Sequence, residues 1–81
     1  MATKSQHSIS YRKLPPYLRE MRVNAGLTQR QLAKLLNKPQ NFVHRCETGG
    51  RRLDPIELIL WCQNCGVNPK TAIGILAEEL K

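Results

Sequence analysis

The chain has 81 residues and lacks any long apolar run. A membrane span needs about 20 consecutive apolar residues, and no segment approaches that length. The N-terminus also lacks the apolar core of a signal peptide. We therefore expect a cytoplasmic protein that folds as one small domain, because a chain this short builds a single core.

The residue patterns of common catalytic sites are also missing. We find no pair of carboxylates suited to one cleft, no plausible Ser/His/Asp set and no glycine-rich phosphate loop after a strand. We expect neither an enzyme nor a cofactor.

The three cysteines, Cys46, Cys62 and Cys65, are too few and odd in number for a disulfide framework. The Cys62-x-x-Cys65 spacing matches thiol–disulfide exchange motifs, but it falls near the end of a predicted helix in a chain without a βαβ pattern. A zinc site would need a second ligand pair, and His7 and His44 lie in other segments. We interpret the cysteines as small buried side chains, with redox or metal chemistry as the alternative.

Acidic residues are scarce in the first 52 residues, which contain eleven Lys and Arg residues but only two acidic residues, Glu20 and Glu47. Residues 53–81 carry two basic and four acidic residues, and the formal net charge of the chain is +7. A basic region of this kind is typical of a phosphate-binding surface. A basic protein without a nucleic-acid partner is the alternative.

Apolar periodicity and capping residues predict an all-α domain of five helices over residues 14–81, preceded by a flexible basic arm over residues 1–13. The predicted helices cover Pro15 to near Gly26, about residues 28–36, residues 40–47, about residues 55–65 and about residues 69–80. The cap residue Asp54, with Pro55 and Glu57 after it, marks the start of the fourth helix. The predicted inner face is Leu18, Met21 and Ala25 in the first helix and Val43 and Cys46 in the third.

The fourth helix carries more apolar residues than one buried face requires. We expect this extra face to be covered either by the last helix or by the same surface of a second copy of the chain, with the apolar face of the last helix formed by Ala72, Ile73, Leu76 and Leu80.

The segment 28–50 predicts two short helices joined by a tight turn. Thr28 and Gln31 fit a capping box, and Asn37 fits the left-handed conformation that ends a helix. Pro39 then favours the start of the next helix, which Gly49 and Gly50 end. Such a pair of helices can place the second one in the DNA major groove.

Several motifs occur in the order typical of one family. They are the segment 22–29, the pattern Gln-x-x-Leu-Ala-x-x-Leu over residues 29–36, Gln40, the sequence Glu47-Thr48-Gly49, and residues 66–69. Through them, residues 18–69 resemble the lambda-repressor-like helix-turn-helix family, also called the XRE or Cro/repressor family. Asn37-Lys38-Pro39 replaces the Gly-Val-Ser of many relatives, which keeps the turn and adds a charge.

The resemblance implies a five-helix lambda-repressor-like domain that binds double-stranded DNA and regulates transcription, with repression as a homodimer expected. It implies base-reading side chains at Gln40, Asn41, His44 and Arg45. It implies phosphate contacts at Gln29, Lys38, Thr48, Arg51 and Arg52. Arg22 and Glu47 match a buried ion pair of the family, which gives them a structural role.

Two other functions stay open at the level of sequence. One is an antitoxin-like or adaptor module whose apolar C-terminal half binds another polypeptide, with DNA binding secondary. The other is a nucleic-acid binder without sequence preference, which differs in binding all duplexes equally.

Overall fold

Five α-helices form the fold in a computed structural model that describes residues 11–80, and this range contains no strand. The helices are α1 (Leu14–Asn24), α2 (Gln29–Leu35), α3 (Gln40–Thr48), α4 (Pro55–Asn64) and α5 (Pro69–Glu79). The predicted all-α, five-helix fold is confirmed. None of these helices has the length and apolar character needed to cross a membrane.

Residues 11–13, which the sequence assigned to the basic arm, have regular structure. Tyr11–Lys13 form a 3-10 turn directly before α1. The Tyr11 hydroxyl donates to the backbone oxygen of Arg51 at 3.5 Å, and the Arg52 guanidinium lies 4.4 Å from the centre of the Tyr11 ring. Because of these contacts, residues 11–13 belong to the domain and not to the predicted arm. The rest of the predicted arm, residues 1–10, lies outside the described residues.

Side-chain caps fix where α2 and α4 begin, as the sequence predicts. The Thr28 hydroxyl accepts a hydrogen bond from the backbone N–H of Gln31 at 3.0 Å, and the Gln31 side chain accepts from the Thr28 N–H at 2.8 Å. Asp54 and Glu57 form the same reciprocal pair at 2.8 and 3.0 Å. Each box satisfies two N–H groups that have no partner within the helix.

The turn between α2 and α3 depends on a left-handed residue. Asn37 has φ 58°, a conformation that few side chains other than those of Asn and Asp adopt readily. It allows the Lys38 N–H to donate to the Ala33 oxygen at 2.9 Å. Gly49, with φ 86°, ends α3 in the same way, and the Gly50 N–H bonds the Arg45 oxygen at 2.8 Å. Both ends therefore match the Schellman geometry.

The core lies where α1, α2 and α3 meet α4. Trp61 is fully buried, and its indole N–H donates to the Leu18 oxygen at 3.2 Å, which links α4 to α1. Ala25, predicted to face the core, is instead exposed because α1 has ended at Asn24. The buried apolar side chains are Leu18, Met21, Leu32, Ala33, Phe42, Val43, Cys46, Trp61, Cys62, Cys65 and Ala72.

Part of α4 keeps an apolar surface that α5 does not cover. Ile56 is 64% exposed and Leu60 is 43% exposed, although both belong to a helix whose other face is buried. On α5, Ile73 and Leu80 are also about half exposed, at 48% and 52%. The sequence assigned these two residues to the face that covers α4. Within one chain, α5 therefore shields only part of the apolar surface.

Candidate nucleic-acid interface

The exposed face of α3 brings together all four side chains that the sequence predicts to read bases. Gln40, Asn41, His44 and Arg45 are exposed, whereas the residues between and after them turn inward. The spacing of one, four and five residues places them on one side of a helix. The buried residues of the opposite side are Phe42, Val43, Cys46 and Glu47.

A buried ion pair holds α3 against α1. Arg22 Nε donates to Glu47 Oε2 at 2.6 Å, and a second guanidinium nitrogen donates to Oε1 at 3.0 Å. Both residues are only 8% exposed, and the hydrogen bond with Glu47 raises the pKa of Arg22 above its ordinary value. The third guanidinium nitrogen donates to the Leu27 oxygen at 2.8 Å. One side chain thus fixes the end of α3 and the loop before α2.

Gln29 joins the same network at the start of α2. Its side-chain amide donates to Glu47 Oε1 at 3.1 Å, so both carboxylate oxygens of Glu47 are hydrogen-bonded. Gln29 is half-buried, and its side chain links α2 to α3. It therefore supports the helix that carries the base-reading candidates.

Two basic residues of α2 that lie beside this face were not among the phosphate contacts predicted from the sequence. Arg30 and Lys34 are exposed, and Arg30 Nε lies 3.4 Å from the side-chain oxygen of Gln40. Together with Lys38 they line a shallow groove between α2 and the start of α3. The four-residue spacing of Arg30 and Lys34 was the available signal, because residues four apart share one face of a helix.

Thr48 is exposed at the end of α3, but its hydroxyl hydrogen is already engaged. The hydroxyl donates to the backbone oxygen of His44 at 2.9 Å, with the Arg45 oxygen 3.3 Å away. Phosphate oxygens only accept hydrogen bonds, so Thr48 would have to rotate to serve the predicted phosphate contact.

Arg51 and Lys38, both predicted to contact phosphate, converge on one carboxylate. Arg51 donates to the two Glu57 oxygens at 3.0 and 3.2 Å, and Lys38 Nζ lies 3.7 Å from Oε2. Both cations also lie over the ring of Phe42, at 4.7 and 5.1 Å from its centre. The hydrogen bonds from Arg51 lower the pKa of Glu57 and raise that of Arg51. Arg52, in contrast, is exposed and stacks on Tyr11.

The three cysteines belong to the core rather than to this surface. Cys46, Cys62 and Cys65 are buried free thiols, and burial raises the pKa of Cys46 and Cys65 to about 11 and that of Cys62 above its ordinary value. Thiol–disulfide exchange needs an accessible thiolate, which this environment disfavours. Among residues 11–80, no three potential metal ligands lie close together.

Comparisons with known proteins place this arrangement in a family. A helix-turn-helix domain model matches residues 16–72. An XRE-family like protein from Pseudomonas syringae pv. tomato str. DC3000 is 37% identical, with 93% of this chain and 92% of that chain covered and a TM-score of 0.84. The chain belongs to the XRE family of helix-turn-helix proteins.

Two restriction-modification controller proteins are also similar to this XRE-family chain. C.AhdI from Aeromonas hydrophila is 28% identical, with 72% of this chain and 88% of that chain covered and a TM-score of 0.66. A point mutant of C.Esp1396I is 25% identical, with 90% and 92% covered and a TM-score of 0.78. No curated protein matches the sequence.

The family expected from the motifs is therefore confirmed, and the protein is a DNA-binding transcription regulator of the XRE type. The family is one of DNA-binding regulators rather than of enzymes.

Proposed function

We propose that this protein represses transcription by binding a specific operator in double-stranded DNA as a homodimer, within the cytoplasm. The observation that carries the proposal is the exposed polar face of α3, formed by Gln40, Asn41, His44 and Arg45. Hydrogen bonds to Glu47 from Arg22 on α1 and from Gln29 on α2 hold α3 in place. A helix presented in this way fits the major groove, which carries a distinct donor and acceptor pattern for each base pair.

Gln40 and Arg45 are the side chains best suited to read bases. The amide of Gln40 can pair with adenine N6 and N7, and the planar guanidinium of Arg45 can pair with guanine O6 and N7. Arg30 donates to one lone pair of the Gln40 oxygen, which leaves the second lone pair and the amide hydrogens available. Asn41 and His44 then adjust the sequence preference.

Phosphate contacts flank this face on two sides. Arg30 and Lys34 lie along α2, and Arg52 follows α3. Cations in these positions raise affinity for any duplex and make binding dependent on salt. Gln29 is a further phosphate contact in this proposal, because its amide has a second hydrogen besides the one that it donates to Glu47.

Dimerisation is proposed from the apolar surface that α4 and α5 leave exposed, formed by Ile56, Ile59, Leu60, Ile73 and Leu80. A two-fold dimer would bury this surface and present two copies of α3 to successive major grooves. A dimer bound in this way covers a stretch of promoter DNA and excludes polymerase, which favours repression. The controller proteins of restriction-modification systems, at 25% and 28% identity, support a regulatory role.

The experiment that tests the proposal is selection from randomised duplex DNA, with sedimentation of the free protein in parallel. We expect enrichment of a palindromic site and a mass of two chains at micromolar concentration. Enrichment of no sequence by the folded protein would contradict sequence-specific regulation. A mass of one chain at high micromolar concentration would contradict the proposed homodimer.

The same exposed apolar surface favours a second candidate, an antitoxin-like or adaptor module that binds another polypeptide. That candidate predicts a monomer that captures a partner encoded nearby and shows little sequence preference for DNA. Selection and sedimentation together separate the two candidates, because only the repressor predicts both a palindrome and a self-associated mass.

A further inference from the structure

Glu57 is a carboxylate placed among the cations next to the recognition helix. It lies in the first turn of α4, and its side chain is 15% exposed, whereas those of Lys38 and Arg51 are 39% and 38% exposed. The two cations thus lie between the carboxylate and solvent. We propose that Glu57 is a positioning residue that keeps Arg51 and Lys38 from phosphate and so sets the strength and salt dependence of DNA binding. This inference rests on the proposed function.

The hydrogen bonds of Arg51 support this role. A guanidinium has five N–H groups, and three of those of Arg51 are engaged: two with the Glu57 oxygens and one with the Arg52 backbone oxygen at 2.6 Å. One face of the guanidinium is covered by the Phe42 ring. The Nη1–Nη2 edge, one of the two edges that could bind a phosphate by two parallel hydrogen bonds, is therefore occupied by a carboxylate.

Lys38 is drawn toward the same cluster. Its ammonium lies 3.7 Å from the Glu57 carboxylate and 5.1 Å from the centre of the Phe42 ring, so its charge is partly neutralised within the protein. A cation already paired with a carboxylate releases less of the DNA counterion atmosphere when it meets a phosphate. Two of the basic residues that the sequence assigned to the DNA backbone therefore contribute less than their charge implies.

The test is the variant Glu57→Gln, which removes one charge and little else. Glutamine also serves at this position of a capping box, so the start of α4 is retained. With the carboxylate gone, Arg51 and Lys38 become available to phosphate. One added contact steepens the slope of log K against log salt by about 0.9, which corresponds to roughly fivefold tighter binding at ~0.15 M salt. The gain should be equal on the selected site and on an unrelated duplex, because phosphates carry no sequence information.

A matched control is Glu20→Gln, which makes the same change in net charge. Glu20 is exposed on α1 and lies in a groove with Ile75 and Glu79 of α5. We expect a much smaller change in affinity and salt slope for this variant, because screening weakens charges more than about 10 Å from the DNA. Circular dichroism and thermal unfolding of all variants check that each is folded.

If Glu57→Gln unfolds, a comparison of two arginine variants provides a second test. Arg51→Gln should change the salt slope far less than Arg52→Gln, which should reduce it by about 0.9. Equal losses for the two arginine variants would overturn the inference. So would wild-type or weaker binding by a folded Glu57→Gln protein. Absence of DNA binding by the wild-type protein would instead overturn the proposed function.

Discussion

The guanidinium of Arg22 links three parts of the structure: α1, to which it belongs, α3 and the loop before α2. It pairs with both oxygens of Glu47 on α3 and donates to the Leu27 oxygen in the loop before α2. Because the pair is buried, neither charge can be removed without leaving the other uncompensated. The residue is therefore structural, although it lies directly beneath the surface that contacts DNA in our proposal.

At this scale we predict that Arg22→Met lowers the free energy of unfolding by about 3–5 kcal/mol, because Glu47 is left buried with only the amide of Gln29. Urea unfolding measures the loss. The double variant Arg22→Met/Glu47→Leu should recover most of it, because it removes both charges together. A loss below about 1 kcal/mol in the single variant would contradict the structural role.

The Arg22–Glu47 pair could be predicted from the sequence through the family motif, and the environment of Arg51 could not. Its partner Glu57 is six residues away in a different element, and the stacking on Phe42 depends on how α3 packs. Phe42 itself was not placed in the core, since the predicted inner face of α3 contained only Val43 and Cys46. Charge patterns locate basic residues, but only the fold shows which of them are already paired.

At the scale of elements, capping residues decide where the helices begin. The α2 helix has only seven residues, too few to be stable as an isolated helix, so its start depends on Thr28 and on packing. The Thr28–Gln31 and Asp54–Glu57 boxes were both predictable because the pattern is local in sequence. The 3-10 turn at Tyr11–Lys13 was not, because it depends on contacts with Arg51 and Arg52 forty residues away.

We predict that Thr28→Ala lowers the free energy of unfolding by about 1 kcal/mol, since the Gln31 N–H loses its acceptor. Thermal unfolding measures the change. The matched control is Thr71→Ala, at an exposed position in the first turn of α5 that is not its N-cap, where stability should change by less than about 0.5 kcal/mol. Equal effects of the two substitutions would show that the capping box has no stabilising role.

At the scale of the whole molecule, two surfaces are built from different helices. The α2 and α3 helices carry the exposed polar and basic side chains, and α4 and α5 carry the apolar side chains that one chain leaves uncovered. In our proposal the first surface meets DNA and the second meets another copy. The excess of apolar residues on α4 was visible in the sequence, but how much α5 covers could be known only from the packed structure.

The central claim is that the exposed face of α3 reads bases, and the affinity of Gln40→Ala for selected and unrelated duplexes tests it most directly. Gln40 is uncharged, so its loss leaves the phosphate attraction intact. We predict a loss of about 1–3 kcal/mol on the selected site and little change on the unrelated duplex, whereas Arg52→Ala should weaken both alike. Equal weakening of both duplexes by Gln40→Ala, or no weakening of either, would contradict the account.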